Sequence, residues 1–174
     1  MIFNTLAVDA DTEWLMIDST DRQGASTCRG RKRGRDKQAL GRSCGGLSTK
    51  IHALSDALGN PMRFTLTGGE VSDCKQAIPL LSGQEAKAVL ADKGYDADYI
   101  VEQVYSMGAE VVIPSKKTRK NQRAYDKFLY KERNNIERMF GKMKQFRSIS
   151  TRYSKLSVSY LAFIQLASIL LWLK

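Results

Sequence analysis

The chain is poor in the residue types that build histidine and cysteine metal sites. His52 is its only histidine, so a metal site made of several imidazoles is excluded. The three cysteines, Cys28, Cys44 and Cys74, are odd in number and contain no C-x2-C pair. That pattern indicates free thiols in a reducing compartment and no zinc site. The composition therefore excludes a zinc-stapled fold and a metal site built from several histidines.

Long hydrophobic runs are also scarce. The most apolar stretch, Val158 to Leu173, is interrupted by Gln165 and two serines and is too short to span a bilayer comfortably. It predicts a buried core helix. The first eleven residues carry two acids and no basic residue, so they predict no secretory signal. The sequence thus predicts a protein without a membrane segment.

Acidic residues are outnumbered by basic ones. The 28 lysines and arginines face 18 acids, which gives a net charge of +10. Residues 22–42 hold eight basic side chains against one acid, and residues 115–155 hold fourteen against three. Two basic blocks on one chain favour a polyanionic partner, with nucleic acid as the first candidate. The alternatives are a ribosomal-type or otherwise simply basic protein whose charge runs are only solvated.

The order of apolar runs and turn residues predicts an α/β fold with one mixed sheet and helices on its faces. Residues 21–46, basic and interrupted by glycines, predict a partly mobile loop within a single domain of residues 1–174. The predicted elements are strands at 14–17, 47–54, 62–67, 87–91 and 110–113, and helices at 72–81, 97–107, 127–146 and 156–173.

Two carboxylates follow predicted strands directly. Asp18 comes after the apolar run of residues 14–17, and Asp92 comes after residues 87–91. Because the ends of neighbouring strands lie close in a sheet, these carboxylates can converge. Cleavage of a phosphodiester needs an activated oxygen nucleophile and neutralisation of phosphate charge, which two hard cations held by a few carboxylates can provide. The alternative is that each aspartate is an ordinary turn residue.

The helix predicted at 127–146 offers a third carboxylate. At about 100° per residue, Tyr130, Arg133, Glu137 and Lys144 fall within an arc of about 60°, next to an apolar stripe. Such an edge suits a phosphate chain, because basic side chains bind phosphates and a tyrosine can donate to a phosphate or stack on an unpaired base. The alternative is that Glu137 is only an exposed ion-pair partner of a neighbouring basic residue.

The spacing of these four residues, Y-x2-R-x3-E-x6-K, resembles the signature of the insertion sequence four/five superfamily of DDE transposases. Further blocks are similar to the five group of that superfamily, and the resemblance runs from about residue 14 to the end. The blocks are IDST (17–20), GGLSTKIHAL (45–54), DALGNPMRFTLTGG (56–69), ADKGYDAD (91–98), VIPSKKTRK (112–120) and YKERNNIERMFGKMKQFRSISTRYSK (130–155).

The resemblance implies a ribonuclease H-like core, a mixed five-stranded sheet flanked by helices, which the order of predicted elements also matches. It implies that Asp18, Asp92 and Glu137 form an acidic triad that binds divalent metal, Mg²⁺ or Mn²⁺, as two ions. The implied chemistry is hydrolysis at transposon ends followed by attack of the freed 3′ hydroxyl on target DNA. The residues implied to contact DNA are Tyr130, Arg133 and Lys144, and Arg138 and Lys142 on the same predicted helix are further candidates.

Two departures from the family pattern bear on function. Seventeen residues precede Asp18, where relatives carry an N-terminal DNA-binding region, so we expect an upstream reading-frame product as a partner. Position 44 is cysteine where a basic residue is expected. We also expect a homo-oligomer on double-stranded DNA and a location in the bacterial cytoplasm, at the nucleoid. The alternative function is a truncated, non-catalytic DNA-binding remnant of a transposase.

Overall fold

The computed structural model of the chain describes residues 2–24, 38–43 and 46–173. Within them, the chain forms one sheet with helices on both faces. The strands are β1 (Trp14–Gln23), β2 (Gly41–Ser43), β3 (Gly46–Ser55), β4 (Pro61–Gly68), β5 (Ala88–Ala91) and β6 (Glu110–Val112). The helices are α1 (Ile2–Leu6), α2 (Ala77–Leu81), α3 (Asp98–Ser106), α4 (Asn134–Met143), α5 (Arg147–Ser150) and α6 (Ser157–Trp172).

Strand β1 is central in this sheet. On one side it pairs antiparallel with β3, which in turn pairs antiparallel with β4 and with the short β2. On the other side β1 pairs parallel with β5, and β5 pairs parallel with β6. Hairpin-connected antiparallel strands on one side and helix-connected parallel strands on the other make the sheet mixed. This confirms the predicted α/β class, and the arrangement is consistent with a ribonuclease H-like fold.

Alternation along the strands divides the apolar residues between two cores. Residues of β1 such as Met16 pack towards α4, α5 and α6, whereas Leu15 and Ile17 pack towards α2 and α3. Successive strand residues point to opposite faces, so each face is covered by its own helices. Asp18 has the parity of Met16, which places it on the α4 face.

The predicted loop over residues 21–46 is wrong at both of its ends. Residues 21–23 belong to β1, and Gly41–Ser43 form β2 on the edge of β3. The polar sequence after Ile17 does not end the strand, because β3 continues to pair with it as far as Gln23. Residues 25–37 and 44–45, which contain most of the first basic block together with Cys28 and Cys44, lie outside the described residues.

The long helix predicted at 127–146 is also wrong. The chain instead forms a 3-10 turn (Leu129–Arg133), then α4, and then the separate short α5. Asp126 sets the start, because its Oδ1 accepts the backbone N–H groups of Phe128 and Leu129 at 2.7 and 3.1 Å. Phe146 adopts an extended conformation and separates α4 from α5. The buried stripe of α4 is nonetheless the predicted one: Ile136, Met139, Phe140 and Met143.

The C-terminal helix, expected at 156–173, is α6, and its sequence is apolar on nearly every side. Tyr160 and Ile164 are fully buried, while Phe163 and Leu166 are exposed. Among the helices of the described residues, none is long and apolar enough to cross a membrane.

Not all of the basic side chains lie on the surface. Arg152, in the second basic block, is fully buried, and Arg22 in the first is 8% exposed. The Arg152 guanidinium donates to the carbonyl oxygens of Ala39, Ser154 and Lys155 and to Oγ1 of Thr49. Its charge therefore joins α5 and α6 to the edge of the sheet and is not available to a phosphate.

Candidate active site

Two carboxylates lie side by side where the ladder between β1 and β5 ends. Ile17 pairs with Ala91 in its last rung, so Asp18 and Asp92 are the next residues along two parallel strands. Neighbouring strands are about 4.8 Å apart, so the two residues are close. The sequence predicted that Asp18 directly follows its strand. In the structure β1 continues to Gln23, and Asp18 lies instead where the pairing of β1 with β5 ends.

Asp92 also shapes the backbone that follows it. Its Oδ1 accepts the N–H of Gly94 at 2.7 Å and so caps the 3-10 turn Lys93–Tyr95. A Cβ added at position 94 would stand 2.7 Å from the same oxygen, closer than Cβ atoms come to neighbours in real structures. A side chain at position 94 would therefore displace the Asp92 carboxylate from this place.

Arg133 connects the sheet carboxylate to the helix carboxylate. Its Nη1 lies 3.3 Å from Oδ2 of Asp18, and its Nη2 forms an ion pair with Oε1 of Glu137, four residues later. The side chains of Arg133 and Asp18 are 17% and 22% exposed, whereas that of Glu137 is 49% exposed. The site is consequently an open rim of the sheet rather than a closed cavity.

The electrostatics of Asp18 are those of a crowded acidic site. The pKa of Asp18 is raised to about 6, mainly by burial and to a smaller extent by the charges of Asp92 and Glu137, although the Ser19 N–H (2.8 Å) and Arg133 act to lower it. Because this folded-state value exceeds the ordinary 3.8, ionisation of Asp18 destabilises the fold increasingly as the pH rises from about 4 to about 6. Carboxylates kept at such an unfavourable place are typical of functional sites.

The oxygen ligands that these three carboxylates offer suit a hard divalent cation. Mg²⁺ and Mn²⁺ prefer oxygen ligands, and a cation would offset the burial and the neighbouring negative charges that raise the pKa of Asp18. Across residues 2–24, 38–43 and 46–173, no three His, Cys, Asp or Glu side chains are arranged as a ready-made metal cluster. Arg133 instead supplies the positive charge between Asp18 and Glu137.

The residues expected to contact DNA fall on two sides of α4. Arg133 lies 5.8 Å from the centre of the Tyr130 ring, and by the helical repeat Lys144 is on the same side as Glu137. Arg138 and Lys142 instead line a cleft of about 150 Å³ against the turn at residues 58–60. Tyr130 and Arg133 therefore lie at the edge of the candidate site, Lys144 lies on the same side of α4 about two turns beyond Glu137, and the other two lie on a neighbouring flank.

A buried carboxylate outside this group was not assigned a role from the sequence. Asp96 is 4% exposed and forms ion pairs with Arg119 and Arg123. Its partners are 23 and 27 residues away, so no local spacing signals the contact. A clue was available in the sequence, since an acid-rich turn precedes a run of basic residues free of acids.

Comparison with known proteins identifies the family of the chain. Residues 9–172 match the family model described as the transposase DDE domain. A protein of Brucella ovis named as transposase for insertion sequence element IS6501 is 39% identical over 130 residues, which cover 74% of this chain and 100% of that protein. A protein of Burkholderia cepacia named as transposase for insertion sequence element IS402 is 28% identical over 135 residues, covering 71% of this chain and 62% of that protein. The chain belongs to the DDE transposase family, polynucleotidyl transferases of insertion sequences that generally use divalent metal ions.

Proposed function

We propose that Asp18, Asp92 and Glu137 are the catalytic carboxylates of this transposase domain. The observation that supports the proposal best is the β1–β5 register, which sets Asp18 beside Asp92, together with the single guanidinium that links Asp18 to Glu137. The three side chains come from two strands and a helix, so only the folded chain brings them together.

The same carboxylates would hold Mg²⁺ or Mn²⁺, as two ions. When bound, these cations supply an activated oxygen nucleophile and neutralise charge on the phosphate that is cut. Arg133 would keep the carboxylates in place and then turn towards a phosphate of the DNA, since a guanidinium binds either group through the same donors. Lys144 and Tyr130, on the same side, would hold the DNA strand.

The proposed reaction has two stages on double-stranded DNA. Hydrolysis of the phosphodiester at a transposon end leaves a 3′ hydroxyl, and that hydroxyl then attacks a phosphodiester of the target and displaces its 3′ oxygen. Arg138 and Lys142, on the neighbouring flank of α4, would contact DNA further from the bond that is cut. We propose that one domain, residues 1–174, performs this chemistry as a homo-oligomer on DNA, at the nucleoid in the bacterial cytoplasm, with an upstream reading-frame product as a possible partner.

The test is cleavage of labelled DNA that contains the element's own end. We expect the wild-type chain to nick it with Mg²⁺ or Mn²⁺ and not with EDTA, and Asp92→Asn to leave it intact. Asp9→Asn, the same change at an exposed residue near the N-terminus, is the control that should cleave normally. Binding without cleavage by the wild-type chain would instead favour the alternative function, a non-catalytic DNA-binding remnant.

A further inference from the structure

A second basic surface follows β6. Residues 114–125, here called the basic segment, contain five lysines and arginines and no acid. The segment leaves the sheet at the C-terminal end of β6, the strand parallel to β5, and therefore starts at the same edge of the sheet as Asp92. Its position relative to the carboxylates is fixed by contacts at both of its ends.

The first contact is with Asp96, whose carboxylate binds three groups of the basic segment. Oδ2 of Asp96 accepts the backbone N–H of Lys116 at 2.8 Å and Nε of Arg119 at 3.0 Å, and Oδ1 pairs with Nη2 of Arg123. Burial alone would raise the pKa of Asp96, but the Lys116 N–H and the Arg123 and Arg119 side chains together lower it. The carboxylate is therefore ionised and fully partnered, with its side chain 1% exposed.

Further bonds close the segment on itself. Oγ of Ser115 accepts the backbone N–H of Arg123 at 3.0 Å, and Nε2 of Gln122 donates to the carbonyl oxygens of Lys116 and Arg119 at 3.0 and 2.9 Å. A segment without helix or strand that is tied by such bonds has a defined backbone. It can therefore present its remaining side chains with little loss of conformational entropy on binding.

Three lysines of the basic segment have no acidic partner among the described residues. Lys116, Lys117 and Lys120 have exposed side chains, and in the described part of the chain none of them forms an ion pair. Arg119 and Arg123, in contrast, are neutralised by Asp96 and, for Arg119, also by the exposed Asp98. The segment thus divides into arginines that hold it and lysines that are available to a ligand.

The segment also adjoins the candidate active site. At its start, Asp96 ends the turn that Asp92 begins. At its end, the Tyr125 ring packs edge-on against the Tyr130 ring, 5.4 Å away, and Tyr130 contacts Arg133. The basic segment is therefore joined at both of its ends to residues that adjoin the candidate active site.

We propose that the basic segment is a preorganised binding surface for the phosphate backbone of duplex DNA next to the bond that is cut, with Asp96 as the residue that positions it. This inference rests on the proposed function, and it assigns the segment a role in holding DNA that is separate from catalysis. Lysines bind phosphates as point charges without reading bases, so the surface contributes affinity and salt dependence rather than sequence specificity.

The test compares the effect of Asp96→Asn on DNA affinity with the effect expected from its charge change alone. Asp96→Asn raises the net charge of the chain from +10 to +11, and electrostatics alone would then strengthen DNA binding. If Asp96 positions the basic segment, we expect the opposite, a Kd higher by about fivefold or more. The loosened segment would have to be ordered when DNA binds, and the entropy lost in that ordering opposes binding. Asp98→Asn makes the same charge change in an exposed pair with Arg119 and should leave the Kd unchanged or slightly tighter.

The measurement is fluorescence anisotropy of a fluorescein-labelled DNA duplex in EDTA, titrated at several salt concentrations. A second variant, Lys117→Ala, leaves the contacts of Asp96 intact. It should make the negative slope of log K against log salt less steep by about 1. Lys87→Ala, at the opposite end of β5 and 80% exposed, should not change the slope. Circular dichroism of each variant verifies that the fold is retained.

Two outcomes overturn the proposal: an Asp96→Asn chain that is folded and binds as tightly as wild type, or an unchanged salt slope in Lys117→Ala. These outcomes are separate from failure of the proposed function, which is judged by cleavage with metal. A wild-type chain that never cleaves DNA, combined with the predicted binding losses, would refute the catalytic assignment and support the binding surface.

Discussion

Replacing Glu137 by glutamine is expected to abolish metal-dependent cleavage of DNA, with a loss of about 10³-fold or more, since the activated nucleophile depends on the metal that the carboxylates hold. DNA affinity should stay the same or increase, because the variant removes a negative charge from a surface that meets phosphates. The side chain is half exposed and its one described ion pair is with Arg133, so the fold does not depend on it.

Glu132→Gln is the matched control for this variant. Glu132 is the nearest acid along the chain, is exposed, and accepts a hydrogen bond from Nδ2 of Asn135 at 3.3 Å. We expect it to cleave like wild type when both are assayed on the same labelled duplex with Mn²⁺. If Glu137→Gln still cut DNA at the wild-type rate, Glu137 could not be a catalytic carboxylate.

Replacing Arg152 by alanine is expected to lower the free energy of unfolding by about 3 to 5 kcal/mol. The variant removes the donor to Oγ1 of buried Thr49, 2.6 Å away, and one of the two donors to the carbonyl oxygen of Ala39, which keeps its bond from Thr49. It also removes the guanidinium that lies 5.3 Å from the centre of the buried Tyr160 ring. An equilibrium urea titration followed by circular dichroism measures the change.

Arg147→Ala provides the comparison for Arg152→Ala. Arg147 is an exposed arginine in the same basic block, whose guanidinium contacts the ring and the hydroxyl of Tyr153. Its urea midpoint should match that of wild type. Equal stabilities of the Arg152 and Arg147 variants would contradict the structural role of the buried guanidinium.

Local patterns in the sequence were sufficient for most of the sheet. The apolar run ending at Ala91 predicted β5, which the structure places at Ala88–Ala91. The length of β1 could not be predicted in this way, because its second half is polar and is kept in the sheet by pairing with β3. Likewise, the break between α4 and α5 depends on the extended backbone at Phe146, which the helical spacing of apolar residues did not reveal.

The part of the candidate site that could be predicted is the part whose residues have a fixed spacing along the chain. Four residues of one helical signature placed Arg133 next to Glu137, and the structure has that ion pair. The side-by-side arrangement of Asp18 and Asp92 follows from a strand register that the sequence alone does not determine. The anchoring of the basic segment by Asp96 was not predictable, because it joins a turn to side chains more than twenty residues away.

Asp18, Asp92 and Glu137 are proposed to hold divalent metal together, and isothermal titration calorimetry of Mn²⁺ with the intact chain measures that binding. Asp18→Asn, Asp92→Asn and Glu137→Gln should each weaken Mn²⁺ binding by at least about tenfold, since even outer-shell partners of a metal contribute that much. Asp98→Asn, exposed on α3, should bind Mn²⁺ like wild type. An Mn²⁺ affinity that none of the three variants changes would show that these carboxylates do not form the metal site.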